Sequence, residues 1–276
     1  MTELDIIGIG VWSTNFSNWR DFCTGMNARV WSSESEIQPS LIPLKERRRA
    51  PQSVKMALEV MNQACEMSAV NPSAVATVFS SSMGDMQITD YLCRTLSATP
   101  LLVSPTRFHN SVHNAATGYW SIATRSHEPA SAISAFSYSA SMALLEAAIQ
   151  ASDEGNPVLV VTQEMAAPTA LSDACPSKQP FSAAFLLAPP RYDASALASI
   201  RYKAKRKSVR WPELPEELQE NLSGNPAARL IPLLVAIAAG SGNKTAPSKR
   251  LEFPLTQNLC LDISLTPGKS SAPEKE

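Results

Sequence analysis

Ser137 stands at a point in the chain where a nucleophilic side chain could act. Residues 132–136 are small and apolar enough for a buried strand, and from Ser139 onward Ala140, Leu144 and Ala147 recur at helical spacing. Such a sharp strand-to-helix turn exposes its corner residue and aims backbone N–H groups at a developing oxyanion. The pattern therefore predicts either an active serine or a serine that merely occupies a nucleophile's position.

A catalytic serine needs a base within hydrogen-bond reach, and the chain has only three histidines, His109, His113 and His127, all upstream of Ser137. His113 is the best candidate base, because its helix could pack near the turn; a polar histidine at a helix or subunit interface is the alternative. His109 and His113 have the spacing of one helix face, but Asn110 replaces the glutamate of the zinc motif. We predict neither a metal site nor a cofactor.

The elements that must position Ser137 follow from the hydrophobic pattern. Short apolar runs typical of buried strands alternate with segments of helical periodicity, which favours an α/β fold with a largely parallel sheet. The predicted strands cover residues 5–12, 75–81, 132–136, 157–162 and 182–188, and the predicted helices cover 51–67, 85–96, a segment from Asn110 or Ser111, and a segment from Ser139. We interpret Gly8 and Gly10 of the first strand as positions that allow close packing of the strand, and not as a nucleotide-binding motif.

Composition limits the classes of function. The chain has 276 residues, 44% hydrophobic content and a formal charge of −1. This composition predicts a globular protein with no electrostatic reason to bind nucleic acid. Its five widely spaced cysteines favour buried thiols in a reducing cytosol, and hence a cytoplasmic location. Neither a signal peptide nor an apolar run of membrane-spanning length is predicted.

The composition changes at Pro189 and Pro190. We therefore predict a domain over residues 1–188, a reduced extension over 189–266 that packs on it, and a disordered tail over 267–276. The extension carries a basic run that has two interpretations, a docking patch for an acidic partner or, as we prefer, a solvated edge strand protected by its lysines. The run comprises Arg201, Lys203, Lys205, Arg206 and Lys207.

Three segments, VFSSSMGDM, SPTRFHNSVHNAATGYWSIAT and ISAFSYSASMALLEAAIQ, resemble the N-terminal half of β-ketoacyl synthases of the thiolase-like superfamily in order and spacing. The similarity runs from about Asp5 to Ala188, and the chain looks like the short chain-length factors of aryl polyene biosynthesis. The resemblance implies a thiolase-like α/β fold, with a mostly parallel buried sheet covered by helices in the N-terminal half and a reduced C-terminal half.

The resemblance also places Ser137 where a condensing enzyme has its cysteine. A serine hydroxyl is a much poorer nucleophile toward thioesters than a thiolate. The two histidines of the family lie downstream of the turn, and this chain has none after His127. The resemblance thus implies a non-catalytic subunit in polyketide-like or fatty-acid-like synthesis. Two alternatives remain: a serine-dependent acyltransferase or thioesterase that uses Ser137, and a homodimeric scaffold without an acyl pocket.

The implied partner is a catalytic ketosynthase, in a heterodimer or a dimer of heterodimers. An acyl carrier protein is expected to meet the complex mainly through that ketosynthase, and the basic run is a possible contact. The family's mode of pairing predicts that a set of side chains lies at the interface and shapes the partner's acyl tunnel. These are Met86, Phe108, Val112, His113, Thr117, Phe136 and Tyr138.

Overall fold

A computed structural model describes residues 2–31, 36–37, 39–190, 192, 194–240 and 247–268. Its strands are β1 Thr2–Ser13, β2 Ala76–Ser80, β3 Ala130–Ile133, β4 Val158–Glu164, β5 Phe181–Ala188, β6 Ala198–Arg206, β7 Lys249–Pro254 and β8 Leu259–Pro267. Its helices are α1 Trp19–Ala28, α2 Leu44–Arg47, α3 Gln52–Ser68, α4 Met86–Ala98, α5 Pro105–His109, α6 Ala115–Thr124, α7 Ser139–Glu154, α8 Glu216–Leu222 and α9 Ile231–Gly240. The α/β class is confirmed.

The strands of the described residues form one sheet in the order β3-β2-β4-β5-β1-β6-β8-β7. Only β2 pairs in parallel, with β3 and with β4, whereas every other pairing is antiparallel. The prediction of a mostly parallel sheet was therefore wrong. Strands β4 and β5 are buried along their whole length. A strand covered on both faces has a continuous apolar run whatever its direction, so the sequence pattern did not reveal the direction of pairing.

Helices cover both faces of the sheet. On one face α3 lies against β1, β4 and β5. A Cβ atom at Gly10 would lie 1.8 Å from the carbonyl oxygen of Val60, and one at Gly8 would lie 2.1 Å from that of Ala64. Both glycines are thus required by helix packing. On the other face α7 buries Ala140, Leu144 and their neighbours in the main core.

The C-terminal segment continues the same sheet. Strand β6 pairs with β1 on one side and β8 on the other, so the interpretation of residues 200–209 as an edge strand was wrong. Leu233 of α9, Phe253 of β7 and Ile263 of β8 share the core that includes α7. The division at residues 188 and 266 stays a prediction, and residues 269–276 of the predicted tail lie outside the described part of the chain.

The segment before β3 also differs from its prediction. No single helix begins at Asn110 or Ser111. Instead, the Ser104 hydroxyl caps the short helix α5 at the Arg107 N–H, and α6 begins at Ala115 after a turn. A proline at the first helical position favours this earlier start, which the periodicity alone did not indicate. Residues 110–114 are therefore a connection between two helices.

Candidate functional site

The predicted turn at Ser137 is present. Strand β3 ends at Ile133, a 3-10 turn covers Phe136–Tyr138, and α7 begins at Ser139. Phe136 has a φ of 52°, in the left-handed region that a bulky residue rarely occupies. The Ser139 hydroxyl accepts the Ala135 N–H at 2.9 Å and donates to the Phe136 carbonyl at 2.7 Å. The side chain of the first helical residue thus fixes this turn, and Ser137 lies half-buried at its corner.

The candidate base is bonded elsewhere. His113 Nε2 lies 2.9 Å from the carbonyl oxygen of Ser81, and the His113 ring packs edge-on against Phe79 with centroids 5.7 Å apart. Among the described residues, no hydrogen bond joins a histidine to Ser137. His109 and His127 are exposed. The structure therefore does not form the serine–histidine pair that acyl transfer by Ser137 requires.

A buried carboxylate, Glu164, lies behind the turn. Glu164 is the last residue of β4, and its side chain is inaccessible to solvent. Its carboxylate accepts hydrogen bonds from the Ser82 N–H at 2.6 Å and from the Ser81 hydroxyl at 3.2 Å. The Ser82 carbonyl in turn accepts the Ser134 hydroxyl at 3.0 Å, which connects this loop to the turn. Burial raises the pKa of Glu164 from 4.5 to about 7, although the hydrogen bonds from Ser82, Ser81 and Met83 lower it.

Residues from the C-terminal segment complete the surroundings of the turn. Tyr138 stacks on Trp211 with ring centroids 6.1 Å apart, and the guanidinium carbon of Arg229 lies 5.3 Å from the Trp211 ring centroid. Arg229 and Ser137 both line a cavity of about 110 Å³. Burial lowers the pKa of the Arg229 guanidinium below its usual value. The sequence analysis missed Arg229, and its only sequence signal is a lone cation directly before the apolar run of α9.

The residues predicted for the partner interface separate into three groups by their exposure. Phe108, Val112 and Phe136 expose 65%, 52% and 61% of their surface. Met86 and Thr117 are buried inside the chain, so they support the surface from beneath and do not form it. His113 and Tyr138 are half-buried against Phe79 and Trp211.

A groove of about 600 Å³ runs beside this surface between α6 and the segment around Arg49. Val112 and Ile122 line it, and Tyr119 closes one side, its hydroxyl 3.2 Å from the Asn110 side-chain oxygen. Large exposed apolar side chains occur along the whole segment. They are Leu101, Leu102, Phe108, Val112 and Ile122, which we call the apolar face. Exposed apolar clusters of this kind mark interaction sites.

The basic run is only partly available for binding. Lys205 pairs with buried Asp262, and Lys207 Nζ lies 2.6 Å from a carboxylate oxygen of Glu252. Arg201, Lys203 and Arg206 are exposed and form no ion pair with the described residues.

The described part of the chain offers neither a metal-binding cluster nor a membrane-spanning helix. It contains no group of three or more histidine, cysteine, aspartate or glutamate side chains arranged to hold a metal ion. None of its helices combines the length and the apolar character needed to span a bilayer.

Comparison with solved structures identifies the fold. The ketosynthase ApeO in complex with its chain length factor ApeC from Xenorhabdus doucetiae matches with a TM-score of 0.67 and 20% identity, over 96% of this chain and 100% of that chain. The ishigamide ketosynthase/chain length factor matches with a TM-score of 0.75 and 14% identity, over 97% and 99%. A type II polyketide synthase acyl-carrier protein in complex with its ketosynthase, AntDE:AntF, matches with a TM-score of 0.77 and 11% identity, over 97% and 100%. The chain therefore has a ketosynthase-like, thiolase-like fold.

Sequence comparison gives the family. No curated protein sequence is significantly similar to the chain. The family described as "Beta-ketoacyl synthase, N-terminal domain" matches residues 19–229, which is well over half of the chain and includes both the turn at Ser137 and Arg229. The chain belongs to the β-ketoacyl synthase N-terminal domain family.

Proposed function

We propose that this chain is a non-catalytic chain-length factor that forms a heterodimer with a catalytic ketosynthase in aryl polyene biosynthesis. The observation that carries the proposal is the position of Ser137 on a nucleophile's turn without a base bonded to it among the described residues. An unactivated serine hydroxyl is a weak nucleophile toward a thioester. The turn thus keeps the shape of a condensing site while lacking its chemistry.

The apolar face supports a protein partner. Leu101 exposes 98% of its surface and Ile122 exposes 73%. Strand β3, at the adjacent end of the sheet, has one unpaired edge within the described residues. An open strand edge beside exposed apolar side chains is suited to pairing with another subunit.

Product length is set, in this proposal, by Phe108 and Val112 of the apolar face and by Phe136 of the turn. Phe108 and Val112 project from the surface, and Phe136 is held outward at the turn by its left-handed backbone. Each would form part of the wall of the partner's acyl tunnel, where bulk limits chain extension. Met86, His113, Thr117 and Tyr138 would hold that wall in position from within the chain.

Carrier-protein contact would involve the cations that remain unpaired. Arg201, Lys203 and Arg206 are candidates for an acidic acyl carrier protein, whereas Lys205 and Lys207 already have acidic partners. Because exposed charges mainly accelerate encounter, their removal would lower the association rate more than it changes product length.

Co-expression with a candidate catalytic ketosynthase tests the proposal. We expect a 1:1 complex whose Ser137→Ala variant makes product at the wild-type rate. A Phe108→Ala variant should give longer products, because it removes bulk from the tunnel wall, while Val30→Ala serves as an exposed apolar control outside the apolar face. Product lengths would be measured by mass spectrometry.

Three results would contradict the proposal. Loss of activity in Ser137→Ala with an intact complex would show that Ser137 reacts, as the acyltransferase alternative requires. Unchanged product length in Phe108→Ala would remove that residue from the tunnel wall. A chain that stays homodimeric in the presence of the ketosynthase would favour the scaffold alternative.

A further inference from the structure

A small cavity of about 20 Å³ lies on the face of the sheet that α3 covers, beside residues 110–114. Gln163 of β4 lines this cavity and is only 2% exposed. Its amide nitrogen Nε2 has no hydrogen-bond partner among the described residues. Because buried amide donors are normally paired, Gln163 indicates that an occupant of the cavity accepts its hydrogen bond.

The lining also contains acceptors with free lone pairs. His113 Nε2 must carry its hydrogen, because it lies 2.9 Å from the carbonyl oxygen of Ser81, which can only accept. In the neutral ring the other nitrogen, Nδ1, is therefore an acceptor. The Asp85 carboxylate accepts the Ser53 hydroxyl at 2.6 Å on one oxygen and the Ile88 N–H at 2.9 Å on the other. Each of these oxygens has a further lone pair, so the occupant can donate as well as accept.

The charges around the cavity favour a neutral occupant. Three helices begin at its wall: Ser53 lies in the first turn of α3, Asp85 is the N-cap of α4, and Ala115 is the first residue of α6. The positive ends of three helix dipoles disfavour a cation at this point. The Asp85 carboxylate in the same lining disfavours an anion.

The volume of the cavity fits one very small molecule. A buried water needs roughly 10–15 Å³ of such space and a few polar partners. The cavity offers about 20 Å³, and Gln163, His113 and Asp85 are suitable partners. We infer that this cavity binds one water molecule, which accepts a hydrogen bond from Gln163 and donates to His113 and Asp85. The water joins β4 to the start of α4 and to residues 110–114, and so supports Val112 from within the chain.

Urea unfolding of two variants of the full chain tests the inference. Gln163→Met keeps the length of the side chain and removes the amide donor. Thr77→Val is the matched control, because the Thr77 hydroxyl is also buried without a partner among the described residues, but Thr77 does not line the cavity. Gln163→Met loses a hydrogen bond to the water, so its equilibrium constant for unfolding should rise roughly fivefold. Thr77→Val removes a polar group that has no partner and should leave this constant unchanged or lower it.

Nuclear Overhauser effects from water to the side-chain amide protons of Gln163 give a second measurement, on the unmodified chain. Buried water is part of the protein structure and exchanges slowly, so we expect an effect of the sign that a long-lived bound water produces.

Two outcomes would overturn the inference. A urea midpoint of Gln163→Met at or above that of wild type would mean that the amide nitrogen was unpaired beside a dry cavity. Absence of the water effect at the Gln163 amide would exclude the water directly, even if Gln163→Met fails to fold. Neither measurement needs a ketosynthase, so failure of this inference is distinct from failure of the proposed function.

Discussion

Replacement of Glu164 by glutamine should make the protein more stable, and increasingly so as the pH rises. Glu164 has no solvent exposure, and burial holds its pKa at about 7 against 4.5 for an unburied carboxyl. Between these two values the folded state binds more protons than the unfolded state, so stability falls as pH increases. The stability associated with the protonated carboxyl is complete below pH 4.5 and is lost as the pH passes through about 7.

The magnitude follows from the difference between the two pKa values. A shift from 4.5 to about 7 corresponds to a total loss of about 3 kcal/mol when the group ionises in the folded protein. Glutamine has the shape of the neutral acid, accepts the Ser82 N–H in the same way, and does not titrate. From pH 5 to pH 8 the stability advantage of Glu164→Gln over wild type should therefore grow by about 2 to 3 kcal/mol.

Urea unfolding of both proteins at several pH values and fixed ionic strength measures this difference. The contributions of all other titratable groups to the pH dependence cancel when the two free energies of unfolding are subtracted. Glu154→Gln, which alters an exposed carboxylate at the end of α7, should show no such trend. The opposite result would follow if hydrogen bonding, and not burial, determined the pKa of Glu164. A carboxylate that accepts several backbone N–H bonds can have a depressed pKa. Wild type would then be more stable than Glu164→Gln at pH 7 and would lose that advantage in acid, which would refute desolvation as the dominant effect.

Two other stability predictions use packing and buried polarity. Gly10→Ala should destabilise the chain by about 1–3 kcal/mol or more, because the new Cβ would meet the Val60 carbonyl. Gly118→Ala should stabilise the chain by about 0.5–1 kcal/mol, because no atom outside its own helix lies within 4 Å of its Cβ position in α6. Equal urea midpoints for the two variants would contradict the packing of α3 on β1. Asn225→Ala should cost about 1–3 kcal/mol, because the buried amide donates to the carbonyls of Glu164 and Gln179 and accepts the Ala227 N–H. A midpoint unchanged from wild type would show that water replaces these bonds.

The local parts of this fold could be predicted from sequence. The helix at 51–67, the turn at Ser137 and the helix from Ser139 all appear within a few residues of their predicted positions. Each depends on a periodic pattern and on small residues within a short window. The side chain of Asn18 caps α1 through the Asp21 N–H, a role for which asparagine is a preferred residue type.

Apart from the helix predicted to begin at Asn110 or Ser111, the errors and omissions involve contacts between distant parts of the chain. Strand β6 is interior because β8, more than fifty residues later, pairs with its outer edge. The basic run looked like an edge strand because its outward side chains are charged, while the residues that neutralise Lys205 and Lys207 lie on β8 and β7. Arg229 lies over Trp211, which stacks on Tyr138 of the turn although it is more than seventy residues later in the chain. No local pattern specifies such contacts.

The shape of the turn at Ser137 is a consequence of packing and does not depend on the corner side chain. Helix α7 buries one side against β2 and β4, and its core also includes Phe253 and Ile263 of the C-terminal strands. Ser139 ties the turn at both ends, and Tyr138 is stacked on Trp211. None of these interactions uses the Ser137 hydroxyl. The corner side chain is therefore free to change without loss of the fold.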